Sequence, residues 1–223
     1  MSKKFSFIVF DWNGTIVNDV SLCYELLNKM LIECHHEPVS FNRYRDIFTF
    51  PIIKYYEEAG FSFSPNGTDS FLDLANEFRE DYENKFPSLP LFDDVLDVLN
   101  ALKKDYPIYL VSATKKNLLL EEVKEKKLSK YFDGISGIED IFGASKEESA
   151  KHFFLSHNLD PKDALFVGDT LHDEEVSSTF GASCALISRG HQSLKVLEKG
   201  KKEETYLFSS LTNLYNSLFK VEK

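Results

Sequence analysis

The stretch Phe5–Asp19, FSFIVFDWNGTIVND, constrains the fold more than any other part of the chain. Residues Phe5–Phe10 form an apolar, β-favouring run that ends abruptly at Asp11. Such a run is typical of a strand buried on both faces, and Asp11 would then lie at the carboxyl end of a central strand, where open α/β sheets bind ligands. Because side chains alternate along a strand, Asn13 points the same way as Asp11. Taken alone, the stretch also fits a strand that runs into an Asx-type turn.

The chain after residue 90 predicts a parallel sheet. Short apolar runs at Pro107–Val111, Ala164–Val167 and Cys184–Ile187 predict strands, and further strands are expected within Tyr131–Ile138 and near Tyr206. Helical patterns separate these strands, at residues 93–104, 115–127, 146–157 and 173–180, and another closes the chain at 211–219. Strands that alternate with helices in this way form a parallel sheet with right-handed crossovers.

Residues 19–88 have a different pattern. Apolar residues recur at helical spacing over residues 20–34, further helical stretches follow at 42–48, 51–59 and 69–85, and no strand-like run occurs. Asp19 or Ser21 is expected to cap the first helix. We therefore predict an all-helical domain at 19–88, inserted into an α/β domain formed by 1–18 and 89–223 and lying over the carboxyl edge of the sheet. The alternative is that these helices simply extend the core.

The composition limits the possible partners. The chain has 223 residues, is 43% hydrophobic and carries a net charge of −10, which disfavours binding to nucleic acid or to anionic membranes. Any phosphate site must therefore carry its own positive charge. Cys23, Cys34 and Cys184 lack metal-ligand spacing, as do the histidines, and MSKKFSF at the start is not a signal peptide. We expect a cytoplasmic protein with reduced thiols.

Polar side chains follow or end three of the predicted strands, at Asp11, Ser112 and Asp169. These positions meet at one edge of a parallel sheet, and Asp173 lies one helical turn beyond. Two converging carboxylates suit Mg²⁺, which takes oxygen ligands and leaves room for water and substrate phosphate. Ser112 and the backbone N–H groups after it can bind phosphate oxygens where a helix begins. A nearby lysine would supply the positive charge.

Four motifs in the right order resemble the haloacid dehalogenase superfamily, and within it the phosphatases with a helical cap, such as phosphoglycolate phosphatase. They are Asp11-Trp12-Asn13-Gly14-Thr15, the strand YLVSAT with Ser112, Lys146 at a helix start, and the Gly-Asp-x-x-x-Asp motif at 168–173. The resemblance covers nearly the whole chain. It implies an α/β fold with a Rossmann-like parallel sheet core and an inserted all-helical cap domain. It also implies a Mg²⁺-dependent phosphatase that hydrolyses a small phosphorylated metabolite.

The resemblance assigns a nucleophile and a set of metal ligands. Asp11 would attack phosphorus, form an aspartyl-phosphate and also bind Mg²⁺. The backbone carbonyl of residue 13 is a metal ligand in this family, and Asn13 supplies it as well as an aspartate does. Asp169 would bind the metal directly or through water, with Asp173 in support.

The resemblance also assigns the residues that hold the transferring phosphoryl group. These are Ser112, Ala113 and Lys146, and Lys146 would in addition offset the charge of the clustered carboxylates. Lys151 is the competing lysine, but it lies deeper in the predicted helix and closer to the fourth motif than the family usually allows.

Asn13 departs from the family pattern, which has an aspartate that protonates the leaving group and later activates water. An amide cannot do this, and acid–base help is worth about 10²–10⁴-fold, or about 3 to 5 kcal/mol. Three explanations are open. The chain is a phosphatase whose leaving group needs little protonation or which recruits another acid, for which His172 and Glu174 are the first candidates. Otherwise it is a family member that binds a phosphorylated ligand without turnover, or Asn13 is an engineered change. Phosphonatases, which form a Schiff base with a cap lysine, are a further alternative, for which Lys29 and Lys54 are the available lysines.

Overall fold

A six-stranded parallel sheet forms the centre of the protein in the computed structural model, which describes residues 4–63, 67, 69–138 and 146–220. The order across the sheet is β3-β2-β1-β4-β5-β6, so β1 lies in the middle and the strand order reverses beside it. The strands are β1 (Phe7–Phe10), β2 (Ile108–Lys115), β3 (Gly134–Ile138), β4 (Ala164–Gly168), β5 (Ser183–Ile187) and β6 (Tyr206–Phe208). The predicted α/β class with a Rossmann-like parallel sheet is confirmed.

Helices cover both faces of the sheet and fill the segment between β1 and the rest of the chain. In that segment the described residues form helices and no strand: α1 (Val20–Glu33), α2 (Phe41–Ile47), α3 (Ile52–Ala59) and α4 (Phe71–Lys85). The other helices are α5 (Val95–Leu102), α6 (Lys116–Glu125), α7 (Lys146–Ser156), α8 (Leu171–Thr179), α9 (Leu194–Gly200) and α10 (Leu211–Leu218). No helix among the described residues combines the length and the apolar content needed to cross a bilayer.

The apolar run of β1 is explained by burial on both faces. Ile8 and Phe10 point into the larger core on one side of the sheet, and Phe7 and Val9 point into a second core on the other. All four side chains are fully buried. Each contributes about 1.5–3 kcal/mol relative to an exposed side chain, so no residue of this strand tolerates a charge.

Strand β2 is longer than predicted. The sequence predicts that it stops at Val111, whereas it continues to Lys115, with a shift of register against β3 between these residues. Ser112 therefore lies within the strand and not after it. Ser112 lies beyond Leu110, which pairs with Phe10 at the end of β1, so it remains at the carboxyl edge of the sheet.

Two helices also differ from the prediction. Helix α8 begins at Leu171, because Thr170 and Asp173 form a capping box that fixes its first turn. Residues 188–205, for which the sequence predicts no element, contain α9, which begins where Ser193 accepts a hydrogen bond from the Val196 N–H. This helix is short and has only one fully buried residue, which explains its weak sequence signal.

Helices α1–α4 lie over the carboxyl edge of the sheet, as their contacts show. Tyr82 of α4 donates a hydrogen bond to Asp19, and Arg45 of α2 donates to the chain after β5. The two segments that join helices α1–α4 to the rest of the chain run side by side, since the Asn18 N–H donates to the Pro90 carbonyl at 2.9 Å. The exact division at 19 and 88 into two domains stays a prediction.

Candidate active site

Asp11 and Asp169 converge because they leave two neighbouring strands at the same level. Phe10 of β1 is in register with Val167 of β4, and the Asp11 N–H donates to the Val167 carbonyl at 2.8 Å. Asp173 follows one turn into α8. Carboxylate oxygens of Asp11, Asp169 and Asp173 lie within 4.8 Å of one another. The three acids thus form a single cluster at the point where the strand order reverses.

Lys146 neutralises part of this cluster. It is the first residue of α7, is 6% exposed, and its Nζ lies 2.5 Å from Asp11 Oδ1 and 2.5 Å from Asp173 Oδ1. Burial alone would lower the pKa of Lys146, but the two carboxylates outweigh burial and raise the pKa. Burial likewise opposes ionisation of Asp173, whose pKa is nevertheless lowered by Lys146 and Thr170. Lys151 of the same helix is exposed.

The single positive charge of Lys146 does not balance the carboxylates of the cluster. Burial raises the pKa of Asp11 to about 7 and the pKa of Asp169 to about 6, and repulsion from Asp173 adds to both shifts. Three buried acids and one lysine therefore leave excess negative charge. The donors are all hard oxygens, and the chemistry of this set fits Mg²⁺.

Asp169 is held in place by two hydrogen bonds. Thr15 Oγ1 donates to its Oδ1 at 3.1 Å, and the His191 backbone N–H donates to its Oδ2 at 2.6 Å. Gly14 allows this approach, because its φ of +67° is left-handed and a Cβ at this position would collide with Asp169 and His191. The Gly-Thr pair of the first motif thus supports the acid of the fourth motif.

Ser112 and its neighbours link β2 to the first motif. Ser112 is buried, and its Oγ accepts a hydrogen bond from the Thr114 N–H at 3.1 Å. Thr114 Oγ1 in turn donates to Asn13 Oδ1 at 3.0 Å. Ala113 is exposed and lines the cavity above the acids. The sequence analysis did not single out Thr114, which orients the amide of Asn13.

Both the nitrogen and the oxygen of the Asn13 side-chain amide make hydrogen bonds within the site. Its Nδ2 donates to Asp19 Oδ2 at 2.8 Å and to the Tyr82 hydroxyl at 2.6 Å. With Thr114 donating to Oδ1, the orientation of the amide is fixed. The side chain therefore acts as a hydrogen-bonding link between the core and α4.

Asp19 occupies the N-cap position of α1, as the sequence predicts, but its side chain makes no capping bond. Instead it is fully buried and accepts from Asn13, from the Gly14 N–H at 2.9 Å and from the Tyr82 hydroxyl at 3.0 Å. The Asp19 carboxylate therefore accepts from these donors, which the fold holds in place, and not from the N–H groups of the helix.

His191 completes this buried network. Its Nε2 lies 3.2 Å from Asp19 Oδ1 and its Nδ1 lies 2.6 Å from the Tyr44 hydroxyl. Burial alone would lower the pKa of His191, but the Asp19 carboxylate outweighs burial and raises it to about 9. Burial opposes the ionisation of Asp19, yet His191 and Asn13 keep its pKa below the usual value. Sequence reasoning missed this pair, because no motif surrounds His191.

Of the alternative acids and lysines named from the sequence, only His172 lines the cavity. His172 stacks on Phe50 with ring centroids 4.6 Å apart. Glu174 accepts a hydrogen bond from the Lys202 N–H and does not line the cavity, so it is no longer a candidate acid. Lys29 pairs with acids of α4, and neither it nor Lys54 lines the cavity. The geometry of the described residues therefore does not favour a Schiff-base mechanism.

A cavity of about 790 Å³ opens above the acid cluster. Its floor is the carboxyl edge of the sheet, and its walls are the chain between α2 and α3, helices α3, α4 and α6, and the loop after β5. The sequence-predicted site residues all line it: Asp11, Asn13, Ser112, Ala113, Lys146, Asp169 and Asp173. The structure thus brings the four separate motifs together at one place.

The described residues thus place an acid cluster with one lysine at the carboxyl edge of the sheet. The chain belongs to the haloacid dehalogenase-like hydrolases, since the model of this family matches residues 8–187. The resemblance inferred from the motifs is confirmed.

The chain has low sequence identity to the characterised relatives that it matches. The chain is 24% identical to phosphoglycolate phosphatase 1 of Pseudomonas aeruginosa, over 82% of its own length and 70% of that protein. It is 25% identical to pyrophosphatase PpaX of Listeria monocytogenes, over 87% of its length and 89% of that protein. Both of these relatives are named for the hydrolysis of phosphate compounds.

Solved structures show the same fold at low identity. A haloacid dehalogenase-like protein of Streptococcus pneumoniae superposes with a TM-score of 0.78 at 20% identity, over 95% of this chain and 97% of that one. A predicted phosphatase of Clostridium acetobutylicum gives 0.78 at 16% identity, over 99% and 100%. The architecture is therefore shared across nearly the whole chain.

Proposed function

We propose that this protein is a Mg²⁺-dependent phosphatase that hydrolyses a small phosphorylated metabolite through an aspartyl-phosphate on Asp11. One observation carries the proposal: Asp11, Asp169 and Asp173 converge within 4.8 Å, and the Lys146 ammonium lies 2.5 Å from Asp11. The residues that would act as nucleophile, metal ligands and phosphate-binding cation therefore lie at one edge of the sheet, which supports the proposal.

The roles of the protein groups follow from this placement. A carboxylate oxygen of Asp11 forms a bond to phosphorus as the ester oxygen leaves with its electron pair. Lys146, Ser112 and the Ala113 N–H hold the phosphoryl oxygens and stabilise their charge. Water then attacks the aspartyl-phosphate, which releases phosphate and restores Asp11.

Mg²⁺ would be held by Asp11, the carbonyl of Asn13 and Asp169, with Asp173 in support. Bound there, Mg²⁺ offsets the negative charge of the carboxylates and of the phosphoryl group. Asp173 is also fixed by Lys146 and by its capping contacts with Thr170, so its role is to position the lysine as well.

Asn13 determines which esters react fastest. Its amide supplies no proton, so the leaving oxygen must depart without help or take a proton from water. Aryl and acyl phosphates leave readily in this way and alkyl phosphates do not, so we expect the former to be cleaved faster. The second half-reaction also lacks its usual base, so phosphorylated Asp11 should accumulate.

The proposal is tested by phosphate release from a panel of aryl, acyl and alkyl phosphates with Mg²⁺, run on the parent and on Asp11→Asn. We expect release by the parent only, and a phosphoryl adduct on Asp11 in acid-quenched samples analysed by mass spectrometry. Release by Asp11→Asn at the parent rate would refute the role of Asp11.

The second candidate is a binding protein for phosphorylated ligands without turnover. The engagement of both Asn13 amide hydrogens with Asp19 and Tyr82 favours it, since no proton donor is left at this position. Mg²⁺-dependent binding of phosphorylated ligands, with no phosphate release and no adduct, would favour this candidate over the enzyme.

A further inference from the structure

The cavity is much larger than a phosphoryl group requires. At about 790 Å³ it lies in the upper part of the range of about 300–1,000 Å³ typical of pockets for drug-sized ligands. A two-carbon acid or a second phosphate would leave most of this volume to water. The space beyond the acid cluster is therefore suited to a larger leaving group.

The wall that faces this space is aromatic. It is formed by rings from the chain between α2 and α3, from α3 and from α4: Phe48, Phe50, Tyr55, Tyr56, Phe78 and Tyr82. Several of these rings support one another, with centroids 5.0 Å apart for Phe48–Tyr55 and 5.5 Å apart for Tyr55–Tyr56. A preformed aromatic wall favours a flat, apolar group, which packs against it by stacked or edge contacts.

Helix α6 contributes to the cavity lining a buried acceptor without a donor. Glu122 of α6 is 2% exposed, lines the cavity, and accepts from Trp12 Nε1 at 2.7 Å through Oε2. Its Oε1 has no hydrogen-bond partner among the described residues. A buried polar atom without a partner destabilises the folded state, and an N–H or O–H of a ligand would remove this cost.

The charge of the cavity excludes a second anion. Beyond the acid cluster and Lys146, and apart from the ion pair of Asp19 and His191, the described lining contains the carboxyl groups of Glu80, Glu83, Glu121 and Glu122 and the cationic side chains of Arg79 and Lys115. Arg79 is itself 3.8 Å from Glu83. An anionic leaving group would meet net repulsion here, whereas a neutral or cationic one would not.

We propose that the leaving group of the natural phosphate ester is a flat, mainly apolar group, neutral or positively charged, with an N–H or O–H donor that Glu122 accepts. This proposal rests on the proposed function for its phosphoryl site. It differs from the substrates in the names of the two relatives, phosphoglycolate and pyrophosphate, whose leaving groups are small anions.

Binding of non-hydrolysable phosphonates tests the proposal independently of turnover. Calorimetry with Mg²⁺ would compare methylphosphonate, phosphonoacetate, benzylphosphonate and benzylphosphonates with a 4-aminomethyl or a 4-carboxyl group. We expect benzylphosphonate to bind at least tenfold tighter than methylphosphonate. The aminomethyl compound should bind at least threefold tighter again, and the carboxyl compound should bind more weakly than benzylphosphonate.

Two variants, each with a matched control, connect these preferences to residues. Glu122→Gln keeps an acceptor for Trp12 and should remove the preference for the amine but not for the ring, whereas Glu125→Gln on the exposed side of α6 should change neither. Phe78→Ala should reduce the advantage of the ring at least threefold, whereas Leu72→Ala, at an exposed position of α4, should not. Thermal melts would verify that each variant folds.

The outcomes separate this proposal from the proposed function. Tighter binding of phosphonoacetate than of benzylphosphonate, with phosphate release from 2-phosphoglycolate or pyrophosphate, would overturn the leaving-group proposal and leave the phosphatase intact. The predicted order of phosphonates without release from any ester would support the leaving-group proposal and refute the enzyme. No binding of any phosphonate would overturn both.

Discussion

At the scale of single residues, Asn13 and Asp19 belong together. The Asn13 amide donates to Asp19 across 2.8 Å, so an aspartate at position 13 would face a second carboxylate at the same distance. The acid beside it therefore favours asparagine over aspartate at this position. Conversely, Asp19 provides the charge that holds His191 in its protonated form.

The first prediction concerns Asn13→Asp. The introduced acid should have a raised pKa, because burial and Asp19 both oppose its charge. The fold is therefore more stable while this acid is protonated, at low pH, and loses that stability as pH rises through the raised pKa. We expect the free energy of unfolding at pH 8 to fall by about 1–3 kcal/mol, and by less at pH 5. Urea unfolding of Asn13→Asp and of the control Asn18→Asp would measure this. Equal stability of the two variants at pH 8 would contradict it.

This variant also bears on catalysis. We expect Asn13→Asp to speed alkyl phosphate hydrolysis by up to about 10²–10⁴-fold, the usual worth of an acid–base group, since a raised pKa near neutrality suits a general acid. Fast alkyl phosphate turnover with Asn13 in place would mean that another group supplies the proton, and His172 on the cavity wall would be the first to test.

The second prediction concerns the pH dependence caused by His191. Its pKa is about 6.5 in the unfolded chain and about 9 in the fold, so its contribution is fully present below about pH 6.5 and is lost as pH rises through 9. In EDTA, the stability difference between the parent and His191→Gln should shrink by on the order of 3 kcal/mol between pH 6.5 and 9.5. The control His152→Gln, at an exposed position of α7, should show no such change.

At the scale of elements, the pairing of β1 with β4 brings together the acids of the proposed metal site, because one acid follows each strand at the same edge of the sheet. The third prediction follows: Mg²⁺ at 100 times its dissociation constant should stabilise the parent by about 2.7 kcal/mol, and this gain should vanish in Asp169→Ala. Asp163→Ala, at the other end of β4, should keep it. Equal stabilisation of Asp169→Ala and the parent, seen in thermal melts, would show that the metal site is wrong.

The same site should respond to pH in a defined direction. The pKa values of about 7 for Asp11 and about 6 for Asp169 mean that protons must leave before a cation can bind. Stabilisation by Mg²⁺ should therefore be smaller at pH 5 than at pH 8.

At the scale of the whole molecule, α2 is docked on the chain after β5. The Arg45 guanidinium donates to the carbonyls of Ser188, Gly190 and Gln192 at 2.7 to 3.0 Å, and Ser193 Oγ donates to Asp46 at 2.6 Å. These contacts hold the helical segment over the acid cluster. We propose that this segment acts as a cap that excludes water during phosphoryl transfer.

The fourth prediction tests this docking. Charged hydrogen bonds contribute about 1.5–3 kcal/mol, so Arg45→Ala should raise the rate of hydrogen exchange of α2 amides by about tenfold or more and leave β1 and β4 unchanged. Arg43→Ala is the matched control, because Arg43 lies on the same helix but pairs with Glu58 within the helical segment. Equal exchange rates in the two variants would refute a docking role for Arg45.

The sequence by itself determined the parallel sheet and the positions of the four motifs. These are local patterns: a continuous apolar run is dictated by burial on both faces, and a polar residue at its end marks the carboxyl edge. Asp11, Ser112 and Asp169 could therefore be named in advance, and Lys146 was named from the resemblance to the family. Helix α9, with little apolar area to bury, left no comparable pattern.

Only the tertiary structure decided what surrounds Asn13. Tyr82 lies 69 residues and Thr114 101 residues away along the chain, and Asp19, read locally, looks like an ordinary helix cap. Their contacts exist only once α4 and β2 are in place over the end of β1. Long-range hydrogen bonds between buried polar groups have no periodicity in sequence, and for this reason the network of Asp19 and His191 and the acceptor at Glu122 became visible only in the fold.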